Sequence, residues 1–212
     1  MGNLHVSVMG DSISTYAGYN PKDYAVYYDR YTQRVNKMGS VRDTWWSIVL
    51  NKLHAELCVN GSYSGSKVSG REFPAAESAE RISVLKREDG ISPDMILVYI
   101  GFNDFGCAVN LNEFTDAYEN MLSRLKEQYT SSEVICGTIM KTYIKCNPLW
   151  KFPEVYNGVK IDDYNEAIKS ACSRQAVIVA DTAEAGIYET LDCTHPTVKG
   201  HSEIADAWMK FV

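Results

Sequence analysis

The chain has 212 residues, a length one α/β domain commonly fills, and with 45% hydrophobic and 23% charged residues it has a globular rather than a disordered composition. A net charge of −6 leaves no electrostatic footprint for nucleic acid or for an anionic membrane, so neither is expected as a partner. No apolar stretch is long enough to span a bilayer, and no basic and apolar leader precedes the first strand; the expected location is cytoplasmic, with secretion the alternative only if a signal peptide once stood ahead of Met1.

In chain order, Leu4, Val6, Val8 and Met9 form a short buried strand that ends on Gly10-Asp11-Ser12, a glycine bend that leaves a serine at the strand's carboxyl end. Residues 14–43 have neither helical nor strand periodicity and hold Tyr16, Tyr19, Tyr24, Tyr27, Tyr28 and Tyr31; a loop of that length in a compact domain is usually functional. Trp45, Ile48, Val49 and Leu53 give one face of a helix over 44–54, with Asp43 or Thr44 as its cap. A second strand, 56–60, closes on Gly61-Ser62-Tyr63-Ser64-Gly65, and Ile82 and Leu85 indicate a helix around 78–88. Residues 95–100 are a continuous apolar run, suited to a parallel strand covered on both faces, and they end on Gly101-Phe102-Asn103-Asp104.

Asn112 opens a long amphipathic helix with Phe114, Tyr118, Met121, Leu122 and Leu125 on its inner face. A fourth strand over 133–139 leads into a second irregular segment, 140–159, with Tyr143, Trp150, Phe152 and Tyr156. A helix over 161–174, a fifth strand over 176–181 and a terminal helix over 198–211 complete the chain. Five strands alternating with helices imply a single domain, 1–212, with a three-layer α/β fold around a doubly wound parallel sheet.

In such sheets ligands bind at the carboxyl ends of the strands, which is where Ser12 sits. Alone it reads as a helix cap. The segment Asp192-Cys193-Thr194-His195-Pro196 supplies what a serine nucleophile lacks: an imidazole to take its proton and a carboxylate to orient that imidazole. Gly65, with a backbone N–H at close approach, and Asn103, with a side-chain amide, can join the Ser12 N–H as donors to an oxyanion. Each has a plain structural alternative, a turn glycine and a helix cap respectively, and for Asp104 a structural hydrogen-bonding role is the expectation. The cysteines Cys58, Cys107, Cys136, Cys146, Cys172 and Cys193 form no C-x-x-C pair and no zinc-type spacing with the histidines, so they read as free thiols; no metal and no cofactor is expected.

Gly10-Asp11-Ser12-Ile13, Ser64-Gly65, Gly101-Phe102-Asn103-Asp104 and Asp192-Cys193-Thr194-His195-Pro196 together resemble, in order and over nearly the whole chain, the four signature blocks of the SGNH (GDSL-type) hydrolases. Ile13 stands where that family usually has leucine, and Gly61 is a second glycine in reach of the second block. The resemblance implies a flavodoxin-like sheet of order 2-1-3-4-5, Ser12 as nucleophile, His195 and Asp192 as base and orienter, and Ser12, Gly65 and Asn103 as the oxyanion hole. It implies an esterase acting on a small-molecule ester through an acyl-enzyme. An acyltransferase on the same site and a long-chain lipase or lysophospholipase are the alternatives, and a binding module without activity is disfavoured because every block is present. The aromatic loops are poor in aliphatics, which suits a short acyl group, acetyl first, on a carbohydrate-like alcohol, with Tyr16, Tyr19 and Trp150 as substrate contacts. Oligomeric state is not readable from the sequence.

Overall fold

A computed structural model of the protein describes residues 4–152 and 154–212. β1 (Leu4–Gly10) passes through a 3₁₀ turn (Ser12–Ser14) into the tyrosine-rich segment. That segment holds a short helix absent from the sequence reading, α1 (Arg30–Val35), which starts because the Asp29 carboxylate accepts the N–H groups of Tyr31 and Thr32. α2 (Trp45–Lys52) is capped by Thr44 and leads to β2 (Ala55–Asn60). α3 (Ala79–Ser83), capped by Ser78, is shorter than the stretch 78–88. β3 (Met95–Tyr99) is followed by the one-turn α4 (Phe102–Gly106) and the long α5 (Leu111–Gln128). Asn110, not Asn112, caps α5, its side-chain oxygen accepting from the N–H of Asn112 and Glu113.

β4 (Glu133–Gly137) opens the second half. The segment 140–159 is not irregular: it folds into β5 (Lys141–Ile144), β6 (Asn147–Lys151) and a small hairpin of β7 (Val155–Tyr156) and β8 (Val159–Lys160). α6 (Ile161–Gln175), β9 (Ile178–Ala180), α7 (Thr182–Ala185), β10 (Ile187–Thr190) and α8 (Val198–Trp208) follow.

Five strands pair in parallel in the order β2-β1-β3-β4-β9, the arrangement expected from the sequence. β1 and β3 run in register from Val6 opposite Met95 to Gly10 opposite Tyr99, so Ser12 and residues 101–104 leave the same edge at the same level. α2 and α8 pack together on one face, and α5 packs on α6 and α3 on the other. The first layer is locked by Trp45 and Trp208, both fully buried, whose rings stack 5.2 Å apart. Burying each such ring contributes roughly 3 kcal/mol or more.

A second sheet, β10-β5-β6, stands apart from the first, with β10 parallel to β5 and β6 antiparallel to it. This corrects the placement of the last motif: Asp192 and His195 do not follow the fifth strand of the main sheet directly but leave β10 of the small one. Among the described residues no helix is long and apolar enough to cross a membrane.

Candidate active site

The turn after β1 is too tight for any side chain at Gly10, where a Cβ would lie 2.6 Å from Ser14 Oγ and 3.0 Å from the Tyr99 carbonyl oxygen. Asp11 caps the 3₁₀ turn by accepting the Ile13 N–H at 3.0 Å. Its burial pushes its carboxyl up to about 7, a shift the Ile13 N–H opposes, the charge of Asp104 reinforces and that of Arg81 opposes. The turn is pinned from three directions: Asn60 Nδ2 and Trp46 Nε1 donate to Ser14 O at 2.8 and 2.9 Å, Trp45 Nε1 donates to Ser14 Oγ at 3.0 Å, and the buried Arg81 donates through Nη2 to Gly10 O at 3.0 Å. Ser12 is thereby held rigid, and its hydroxyl donates to His195 Nε2 at 2.9 Å.

His195 owes its orientation to Asp192. The imidazole Nδ1–H donates to Asp192 Oδ2 at 2.7 Å, which leaves Nε2 as the unprotonated nitrogen facing the serine. Asp192 Oδ1 in turn accepts the N–H groups of Thr194 and His195 at 3.0 and 2.7 Å, a tight turn closed by Cys193 in the left-handed region. Burial alone would raise the Asp192 carboxyl; the His195 side chain and the two backbone donors outweigh it and hold the group well below the usual carboxylate range. The loop is sewn down at four points: Thr142 Oγ1 donates to Cys193 O, Cys193 N–H to Thr190 Oγ1, Tyr188 OH to Thr194 O and Tyr28 OH to Pro196 O.

The remaining two strand ends supply donors. Gly65 sits at φ +79° with open space around its α-carbon, a backbone other residues adopt only under strain, and its N–H donates to no acceptor among the described residues. Asn103 Nδ2 donates to Ser66 O at 2.8 Å, tying α4 to the glycine loop and leaving its second amide hydrogen free for a ligand. Asp104 has the structural role expected: fully buried, it accepts from Val68 N–H at 2.8 Å, Ser69 N–H at 3.0 Å and Ser69 Oγ at 2.7 Å.

The structure therefore brings Ser12, Asp192 and His195 into one chain of hydrogen bonds, with Asn103 and the Gly65 loop tied to each other. Of the other three residues proposed to contact substrate, Tyr16 is buried against Tyr19, and Tyr19 packs on Trp46 and lines a groove along β2. Trp150 lies on the exposed β6. Sequence reasoning passed over Asn60 and Arg81, which fix the serine turn, and over Tyr27, which lies against the His195 ring. No sequence pattern marks them; a buried arginine on a short helix and one tyrosine among six carry no periodic signal. Among the described residues no three His, Cys, Asp or Glu side chains converge as metal ligands.

A parallel sheet that presents a serine, an imidazole aimed at it and a carboxylate behind the imidazole is the apparatus of one class of protein, the serine hydrolases, which cleave by transferring an acyl group. The comparisons with known proteins narrow that class: the GDSL-like lipase/acylhydrolase profile matches residues 4–212, and the chain belongs to that family. The fold is shared with a protein from Bacteroides uniformis described as a GDSL-like lipase (TM-score 0.73, 23% identity, covering 99% of this chain and 95% of that one). It is shared with a counterpart of the same description from Bacteroides ovatus (TM-score 0.71, 21% identity, 100% and 98% covered). A protein from Desulfitobacterium hafniense described as a lipolytic protein of the G-D-S-L family is similar at TM-score 0.60 and 15% identity, with 99% and 100% covered. Among curated proteins none matches.

Proposed function

We propose that the protein hydrolyses short-chain esters, acetyl esters first, through a Ser12–His195–Asp192 triad and an acyl-enzyme. The observation that carries this reading is the unbroken relay from Ser12 Oγ to His195 Nε2 (2.9 Å) and from His195 Nδ1 to Asp192 Oδ2 (2.7 Å). His195 Nε2 takes the Ser12 proton as Oγ bonds to the ester carbonyl carbon. The Ser12 and Gly65 N–H groups and Asn103 Nδ2 receive the resulting oxyanion. Collapse of that intermediate breaks the bond to the leaving alcohol, which departs with the proton from His195 and leaves Ser12 acylated. A water molecule, deprotonated by the same nitrogen, then releases the acid and restores Ser12.

Two features support the substrate half of the proposal. The recess behind the serine turn, lined by Asp11, Ile13, Tyr99, Ile100, Phe102 and Ile139, has a volume of about 10 Å³, the room of one water molecule, so no tunnel for a long acyl chain opens there. Phe152 packs on Phe102 at 5.6 Å and on Tyr156 at 5.5 Å, and Trp150 and Tyr156 are about two-fifths exposed, aromatic surface of the kind that suits a sugar better than an acyl chain. The test is labelling with a fluorophosphonate, expected on Ser12 and lost in Ser12→Ala, together with kcat/KM across acetyl, butyryl, octanoyl and palmitoyl esters and then acetylated sugars. Labelling elsewhere, or retained turnover in Ser12→Ala, defeats the triad assignment. A preference that rises to octanoyl or beyond defeats the short-acyl assignment and makes the enzyme a long-chain lipase or lysophospholipase.

A further inference from the structure

The Tyr27 ring lies flat on the imidazole of His195, with ring centroids 3.3 Å apart and planes 7° from parallel. Its hydroxyl donates to Asp192 Oδ2 at 3.0 Å, the same oxygen that accepts the His195 Nδ1–H. Its backbone is fixed from the other side: the Tyr27 N–H donates to Thr15 Oγ1 at 2.9 Å, and Thr15 Oγ1 donates to Ser12 O at 3.0 Å. A closed ring of hydrogen bonds thus runs from Ser12 through Thr15, Tyr27, Asp192 and His195 back to Ser12. The next residue repeats the attachment, since Tyr28 is fully buried, meets Tyr27 edge to face at 4.9 Å and donates to Pro196 O.

This arrangement answers a weakness of the site. The Asp192 side chain is 45% exposed, so water competes for the oxygen that must hold the imidazole. A carboxylate whose lone pairs are shared with mobile water orients a histidine poorly; a phenol held by its own backbone does not exchange. The ring also covers one face of the imidazole, and the π-cloud of a tyrosine attracts the imidazolium that forms as Ser12 gives up its proton.

We propose that Tyr27 is a positioning residue of the hydrolytic site: its ring sets the plane of the His195 imidazole and its hydroxyl holds the Asp192 carboxylate, so that Nε2 stays aimed at Ser12 Oγ. The inference rests on the triad reading above. Burial first, and then the charge of Asp192, pushes the Tyr27 phenol up, so it remains a donor wherever the enzyme works. The groups against the imidazole are Asp192 from its own loop, Ser12 from the first turn and Tyr27; Cys193 neighbours Asp192, Asp29 lies beyond Tyr27, and His201 of α8 is close enough for the charge of His195 to act on it. Burial, and then His195, lowers His201 to about 3, so it stays neutral, and Cys193, raised by burial and then by Asp192, stays a thiol. Asp192 is therefore the nearest charge His195 feels, and changing its hydrogen bonds should register in the acid limb of kcat/KM.

The test compares wild type, Tyr27→Phe, Tyr27→Leu and Ser12→Ala on p-nitrophenyl acetate across pH. Removing only the hydroxyl leaves Asp192 less neutralised and binds the imidazolium more firmly, so in Tyr27→Phe the acid limb moves up by about half a pH unit. Removing the ring frees the imidazole plane, so in Tyr27→Leu kcat falls about tenfold while KM stays within about twofold. In proton NMR the low-field His195 Nδ1–H resonance broadens in the leucine variant. The proposal is overturned if Tyr27→Leu keeps kcat and the resonance, if its loss lies in KM alone, or if the acid limb of Tyr27→Phe stays in place or moves down. Should Tyr27→Leu not fold, the pH profile of Tyr27→Phe decides by itself. Activity retained in Ser12→Ala signals failure of the triad reading instead; an inactive Ser12→Ala beside unaltered Tyr27 variants signals failure of this inference alone.

Discussion

Replacing Asp104 by alanine takes one acceptor group from three donors at once, the Val68 and Ser69 N–H groups and the Ser69 hydroxyl, around a residue with no exposed surface. Each buried donor left unpaired costs about 1–3 kcal/mol. Part of this is offset because a carboxylate no longer has to be buried, a cost already visible in the upward push that burial gives its titration against the three hydrogen bonds. The balance is a loss of roughly 3 kcal/mol, which in a chain of this size lowers Tm by about 6–12 °C. On the proposed mechanism the chemistry suffers too, because residues 66–69 continue directly from Gly65 and Ser66 O accepts from Asn103; once the loop is loose, both proposed donors drift from where the oxyanion would form. A fall in kcat of about tenfold with little change in KM is expected. Ser69→Ala, which removes only the hydroxyl bond, should cost about 1 kcal/mol and leave kcat close to wild type. Circular-dichroism melts and p-nitrophenyl acetate kinetics on the two variants settle the matter: an Asp104→Ala protein that melts within about 2 °C of wild type and keeps its kcat refutes the reasoning.

Three further changes test other parts of the site. Asn103→Ala removes the proposed side-chain donor to the oxyanion and should lower kcat by ~10²–10³ with a smaller effect on KM; a change confined to KM would make Asn103 a binding residue instead. His201 is buried, accepts the Trp45 N–H at 3.2 Å, and is lowered to about 3 by burial and then by His195. The unfolded chain binds a proton there below ~6.5 and the folded one does not until about 3, so the stability this histidine lends is complete above ~6.5 and is lost as pH falls toward 3. His201→Asn keeps an acceptor, and urea midpoints compared at about pH 7 and pH 4.5 should drop less in the variant than in wild type; equal drops refute this. Asp11 has the opposite sign: raised to about 7, its contribution is complete below the ordinary carboxylate range and fades as pH rises to 7. Asp11→Asn, which retains an oxygen for the Ile13 N–H, should therefore gain stability relative to wild type at about pH 8 compared with pH 5, and an unchanged difference contradicts it.

What could be read in advance was whatever is written in contiguous residues. β3 and β4 announce themselves as apolar runs because both faces of the sheet are covered, β1 shows itself by Leu4, Val6, Val8 and Met9, and the four motifs are short local blocks at strand ends. β6 could not be read: all five of its residues are exposed, so no alternation of apolar and polar positions marks it. β10 is four residues long, and its significance lies in pairing with β5, more than forty residues earlier. Asn110 and Asn112 are both plausible caps by type, and only the backbone angle at Asn110 decides between them. Tyr27 is the sharpest case, since its role depends on Asp192, 165 positions away, and on a loop whose course no local rule specifies.

That separation bears on when during its own synthesis the protein becomes a catalyst. In the proposed triad the two atoms that would exchange the proton belong to residues 183 positions apart in a chain of 212. The main sheet contacts can form as each strand emerges, but the contact between Ser12 and His195 closes a loop of nearly the entire polypeptide. A nascent or C-terminally shortened chain can therefore hold most of its sheet and still hydrolyse nothing. The rate at which activity returns on refolding is consequently a clock for the closing of that loop, the step in which α8 brings Trp208 onto Trp45 and completes one layer of the core.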